Sequence, residues 1–252
     1  MGVLAGVLFC GLFAIIKLVN VPMPFFTSVL YVNEIVLCVF LTIVTVVRGC
    51  SERLRYNKFF ETVLALSMAT PVSDWANILR SLQIRMQWIF AAFASLAALV
   101  VLCDYLHFGS FYATLLTLGT YVIPNALVTM SLGQYCYGVF LVHKLQEHIN
   151  RRLHGPCLHE NSLEEAKHYY LHLSRCFELI IRSYEVIIVG NTLAGINVTS
   201  LQLLEIYQYL QANELSWVYF SYNGLWIMFQ CCMLLMILYP SHLVKREVTK
   251  VH

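Results

Sequence analysis

Long apolar runs alternate along this chain with polar, basic stretches, and the spacing of charges shows the pattern most directly. No Asp, Glu, Lys or Arg occurs from Leu18 to Asn33, Met86 to Cys103, Tyr105 to His143, Val186 to Leu204 or Leu215 to Val244. A helix crosses a hydrocarbon core of about 30 Å with about 20 mainly apolar residues. Windows over these runs predict six spans, at about 1–20, 26–47, 86–106, 113–141, 182–207 and 217–239. Backbone groups in lipid must bond within their own segment, and the runs lack the alternation of a closed barrel, so the spans are helices. The expected fold is an all-α, polytopic transmembrane helix bundle forming a single domain over 1–252. Lys17 interrupts the first span, but no basic leader or small-x-small cleavage site marks it as a removable signal.

Composition rules out a soluble core. The chain is 59% hydrophobic and 12% charged, against roughly 25% charged in soluble domains. The placement of the basic residues matters more than the net charge of +2. Segments 48–85 and 143–182 and the tail after Pro240 hold every Lys and Arg except Lys17. The alternate connections, near 20–25, 107–112 and 208–216, have none. The positive-inside rule makes the basic face cytoplasmic, with the N-terminus and the two long connections (48–85 and 142–181) on that side. This distribution carries no signal for nucleic acid. Nine cysteines lie in spans or on the reducing side, so no disulfide framework is expected.

The short connections, VPMPF, Gly109-Ser110 and QANELS, leave no room for an outer domain, so an external ligand must be small and must enter between helices. The long connections carry helical patterns. In RLRYNKFFETVLALS, apolar Leu54, Phe59, Val63, Leu64 and Leu66 recur near helical spacing. In LVHKLQEHINRRLHG, Leu141, Leu145, Ile149 and Leu153 step by four before Gly155-Pro156 ends the run. SLEEAKHYYLHLSRCFELIIRS opens with acidic residues suited to a helix start and continues without a breaker into the fifth span. Helices four to six are therefore expected to project into the cytoplasm, where such bundles mediate packing within or between subunits.

Several residues invite chemistry. His168 and His172 stand at i, i+4, a spacing that suits a metal, but a single HxxxH is short of an oxidase ligand set, and a solvated polar face is the better explanation. No metal site and no cofactor are predicted. Glu34 lies inside the second span, where a carboxylate is costly; it is either a ligand contact or half of an ion pair with Lys17. Asn197-Val198-Thr199 matches a glycosylation sequon inside a span, beyond the reach of the modifying enzyme. Pro124 beside Asn125 predicts a kink with a freed polar group. The stretch WVYFSYNGLW is either an interfacial belt or, through Tyr219, Tyr222, Asn223 and Trp226, a pocket wall.

Short outer loops, long basic inner loops and extended inner helices resemble the insect gustatory and odorant receptor superfamily, the gustatory branch in particular. LGQYCYGVFLVHKLQEHINRRLHG is similar to the family's fourth helix. HYYLHLSRCFELIIRSYEVIIVGNTLAGINVTSLQLLEIYQYL is similar to its fifth, and VYFSYNGLWIMFQCCMLLMILYPSHLVKREVTK to its sixth helix and last inner loop. The family's TYhhhhhQF signature of a seventh span is absent: Thr120-Tyr121 is followed by VIPNALV. On this resemblance, ILYPSHLVKREVTKVH is expected to lead toward a pore-forming seventh span that this chain lacks.

The resemblance implies a non-enzymatic chemosensory receptor, a subunit of a homo- or hetero-tetrameric, ligand-gated cation channel in the plasma membrane of chemosensory neurons. Its partners would be a small-molecule tastant, membrane lipid and other gustatory receptor subunits. The family binds ligands among the outer halves of spans two to six, which here makes Glu34, Tyr121, Asn125, Asn197, Tyr219, Tyr222 and Trp226 the candidate contacts. A multi-pass small-molecule transporter is the alternative, though internal repeats and paired interrupted helices are not evident.

Overall fold

The computed structural model describes residues 2–68, 72–153, 160–212 and 216–249, and every regular element among them is helical. Helix α1 (Gly2–Val19) leads through the proline-bearing VPMPF connection to α2 (Phe25–Ser51). Helices α3 (Arg53–Met68) and α4 (Val72–Phe108) follow. Gly109 then takes a φ of 59°, a left-handed turn open to glycine without steric cost. Next to it, the Ser110 hydroxyl accepts from the Ala113 N–H at 3.5 Å and caps α5 (Phe111–Thr117). A π-helical turn, Leu118–Val122, joins α5 to α6 (Ile123–Leu153). Helices α7 (Glu160–Gln211) and α8 (Trp217–Thr249) complete the described chain.

Six of these helical stretches are long and apolar enough to cross a membrane, so the chain is an all-α polytopic bundle. Helix α4 begins at Val72 rather than near residue 86. Arg80 and Arg85 end the apolar window, but no Gly or Pro between Val72 and Phe108 ends the helix. Helix α7 has 52 residues, about 78 Å at 1.5 Å per residue, more than twice a hydrocarbon core. The proposed stop at Gly155-Pro156, and His154 and His159, lie outside the described residues.

The chain divides into two compact units. The first comprises residues 1–48, 90–131 and 186–234, and the second 49–89, 132–185 and 235–252. In the first unit the usual arrangement of a water-soluble protein is reversed. Phe9, Leu12 and Ile16 of α1 and Leu193, Ile196 and Leu203 of α7 are exposed. Glu34, Asp104, Asn191, Asn197, Gln202, Glu205, Asn223 and Gln230 are buried. Lipid accepts such a surface, and buried polar groups then hold helices together. Asn33 Nδ2 donates to Asn197 Oδ1 at 2.7 Å, Asn197 Nδ2 to the Leu30 carbonyl at 3.2 Å, and Gln208 Nε2 to Thr27 Oγ1 at 3.1 Å. The Tyr31 hydroxyl donates to Glu205. All four bonds tie α2 to α7. Gly190 lets the same pair approach closely, since a Cβ there would lie 2.5 Å from Leu41 Cδ2.

The second unit packs as a helical core. Of the apolar positions on α3, Phe59, Val63 and Leu66 are buried while Leu54 and Leu64 are exposed. Leu82 of α4, Leu173 and Ile180 of α7 and Val244 of α8 join them. Tyr135 and Ser241 share a hydrogen bond of 2.7 Å, Asn150 Nδ2 donates to the Glu247 carbonyl at 3.2 Å, and the Arg85 guanidinium lies 4.7 Å from the Phe140 ring centroid. Leu141 and Leu145 are buried within this unit, so this part of the four-residue stripe packs inside the chain itself.

Candidate functional site

The first unit contains a cavity of about 260 Å³ between α4, α6 and α8. Phe90, Phe93, Ala94, Ala97 and Val100 line it from α4, and Trp226 and Phe229 from α8. Val122, Asn125, Ala126, Thr129 and Met130 complete it. The space exists because α4 presents alanine at positions 94 and 97, three residues apart on one helical face, opposite large rings. Those rings form a connected wall. Trp226 meets Tyr121 edge-on at 6.4 Å and Phe229 at 5.9 Å, and Phe229 meets Phe93 at 5.4 Å, distances typical of favourable aromatic pairs. Ala94, Ala126 and Met130 are exposed at its mouth. The lining is almost wholly apolar; Asn125 and Thr129 supply its polar groups.

Asn125 stands just after the π-helical turn, beside Pro124. Pro124 brings no N–H, so the helical ladder cannot close at that position, and the preceding turn widens to the π form. Asn125 Nδ2 then donates to the Tyr121 carbonyl at 2.9 Å. Thr129 Oγ1 donates to the Asn125 carbonyl at 2.7 Å and lies 3.1 Å from Met233 Sδ. A second, small cavity of about 10 Å³ adjoins Asn125 and is bounded by Glu34, Cys38, Pro124 and Gln230.

The seven residues singled out from the sequence separate into different roles. Asn125 and Trp226 line the larger cavity, and Tyr121 packs behind Trp226. Glu34 bounds the small cavity. Tyr222 stacks on His107 at 6.3 Å, and Tyr219 stacks on Tyr209 at 4.2 Å and approaches Glu205; neither lines either cavity. Asn197 braces α7 against α2. Lys17 does not pair with Glu34: its ammonium lies 5.4 Å from the Phe13 ring and 5.0 Å from that of Tyr112. The cavity residues missed in the sequence are apolar, Phe93, Phe229 and Met130 among them. The alanine run between Phe90 and Val100 is the signal that could have found them.

In the second unit, His168 and His172 hold their Nε2 atoms 3.3 Å apart along a groove that Lys58 and Arg175 also line. Among the described residues, no group of three or more His, Cys, Asp or Glu side chains is placed to hold a metal ion.

No curated protein matches the chain closely enough to extend this picture. The profile of the family described as 7tm Chemosensory receptor matches residues 1–252. Six apolar helices, a polar interior and a small cavity among them agree with that match, and the chain belongs to this chemosensory receptor family.

Proposed function

We propose that the chain is a gustatory-type receptor subunit whose 260 Å³ cavity takes a small, largely apolar tastant. The observation that supports this reading is the lining itself. Phe93, Trp226 and Phe229 offer ring faces, and Asn125 and Thr129 offer few polar contacts. A sugar would bury several hydroxyls against carbon, and each unpaired one costs about 1–3 kcal/mol. An aromatic or aliphatic molecule with one polar group matches the lining. The volume lies just under the usual range for drug-sized ligands, and the exposed mouth at Ala94, Ala126 and Met130 would admit a molecule dissolved in the bilayer.

In this reading the basic segments face the cytoplasm of a chemosensory neuron, the receptor sits in the plasma membrane, and ligand binding gates a cation channel assembled from four subunits. Gating requires that the ligand bind one state better than another, and a cavity walled by α4, α6 and α8 can differ between states through small helix shifts. The test is direct titration of the purified protein in lipid nanodiscs, followed by the fluorescence of Trp226 with Trp75, Trp88 and Trp217 replaced by Phe. Small aromatic alcohols should give a saturable change, and a disaccharide none. Ala97→Leu, which fills the cavity, should weaken aromatic binding at least tenfold, about 1.4 kcal/mol. Unchanged affinity in Ala97→Leu, or a saturable response to sugar alone, would overturn this assignment.

A further inference from the structure

The groove between α3 and α7 in the second unit encloses about 710 Å³. Lys58, Glu61 and Ala65 line it at spacings of three and four, one face of α3. His168, His172, Arg175 and Leu179 line it from α7 in the same way. Donors dominate these walls: an ammonium, a guanidinium, two imidazoles and the Tyr169 hydroxyl. The bond between the Nε2 atoms of His168 and His172 leaves one of the two rings an Nδ1–H to donate. Among the described residues that line the groove, Glu61 is the single acid.

Its two cations are uncommitted. Elsewhere in this unit Arg55 pairs with Glu52, Lys144 and Arg151 with Glu147, and Arg182 with Glu178, each three or four residues away. Glu178 is also three residues from Arg175 but is taken by Arg182. Among the described residues, the head groups of Lys58 and Arg175 have no ion pair and no hydrogen bond.

The groove also lies at a defined depth. Tyr56 meets Tyr184 at 5.6 Å between ring centroids, and Phe59 and Ile180 both close on Gly138. Helix α3 therefore runs antiparallel to α7, and its start lies beside the residues that lead into the fifth span at about 182. Lys58 and Arg175 occupy the half of the groove nearer that span. His168, seven residues before Arg175 on α7, is about 10 Å farther from it. Leu179 stands at the near end, an apolar exit for a chain entering the bilayer.

Such walls select an oxygen-rich anion, and Arg with Lys is the pairing that phosphate recruits. Inorganic phosphate would leave most of the space to water, whereas a phosphorylated sugar ring fills it. Basic pockets beside spans on the cytoplasmic side take headgroups of this kind. We propose that the groove binds the headgroup of a phosphoinositide lipid, with Lys58 and Arg175 on its phosphates and its acyl chains passing Leu179. The source of the ligand, the inner leaflet, rests on the cytoplasmic orientation proposed above; the tastant cavity plays no part in it.

Native mass spectrometry of the purified chain in detergent tests this without reference to orientation or tastant. Wild type should hold one phosphatidylinositol bisphosphate per chain, about tenfold more tightly than phosphatidylserine. Lys58→Gln and Arg175→Gln, both at exposed positions, should each weaken binding several-fold with an unchanged Tm. Glu61→Gln should tighten it. Arg182→Gln, which removes a paired charge outside the groove, should leave it unaltered. Equal retention of phosphatidylserine, or wild-type binding in both Lys58→Gln and Arg175→Gln, would overturn the proposal. Soluble inositol trisphosphate should bind more weakly than the lipid; equal affinity would overturn the membrane source.

Discussion

Gly119, in the π-helical turn, faces Cys10 of α1 so closely that a Cβ would lie 2.7 Å from its Sγ. Gly119→Ala should therefore push α1 away and lower stability by about 1–3 kcal/mol, the usual effect of overpacking. The double variant Cys10→Ala with Gly119→Ala should recover most of that loss in a thermal melt; if it does not, the contact is not what Gly119 protects. Lys17 gives a complementary lesson at this scale. Its position in an apolar run made Glu34 a possible partner by charge, but its ammonium lies over the faces of Phe13 and Tyr112 instead. Opposite signs in a sequence show which pairs are possible, and the packing around each charge decides which form.

The break between α5 and α6 is the element with the most local consequence. Pro124 removes a donor, the turn before it widens, and Asn125 bonds the Tyr121 carbonyl at 2.9 Å. Pro124→Ala restores an N–H and should leave stability unchanged or raised. By allowing a regular α-helix to re-form, it should also rotate Val122 and Asn125 relative to the cavity. Binding of an aromatic alcohol should then weaken several-fold, measured by the same fluorescence titration. An unaltered affinity would mean that the cavity does not depend on the widened turn. The helices themselves were readable because an uncharged apolar run of span length suits a bilayer and little else. The start of α4 was not, since Arg80 and Arg85 lie in the part of the helix that no hydropathy window includes. Pro124 marked an irregularity in the sequence, and the structure shows a π-helical turn, Leu118–Val122, just before it. The rest of the wall was not readable: in a lipid-facing bundle a Phe or Met suits the interior and the exterior equally, so Phe93 and Phe229 carry no mark of which way they point.

For the molecule as a whole, the distribution of Lys and Arg predicts an orientation that can be tested. In a background where Cys50 and Cys157 are replaced by Ser, a cysteine at Gln211, at the end of α7, should react with an impermeant thiol reagent applied outside intact cells. One at the exposed Glu164, in the segment that holds six basic residues between 143 and 182, should react only after permeabilisation. The opposite result would invert the proposed topology. The same scale explains the polar interior of the first unit. With hydrocarbon outside, association cannot come from hiding carbon from water, so bonds such as Asn33 to Asn197 contribute where a soluble bundle would use leucine.

Asn125 forms part of the wall of both cavities. A change of packing beside Glu34 would therefore reach a tastant through one side chain, and reciprocity requires the tastant to act back on that packing by the same factor. Cys38→Ala, which alters the small cavity from α2, should change tastant affinity in the wild-type chain. In an Asn125→Ala background the same substitution should change it less.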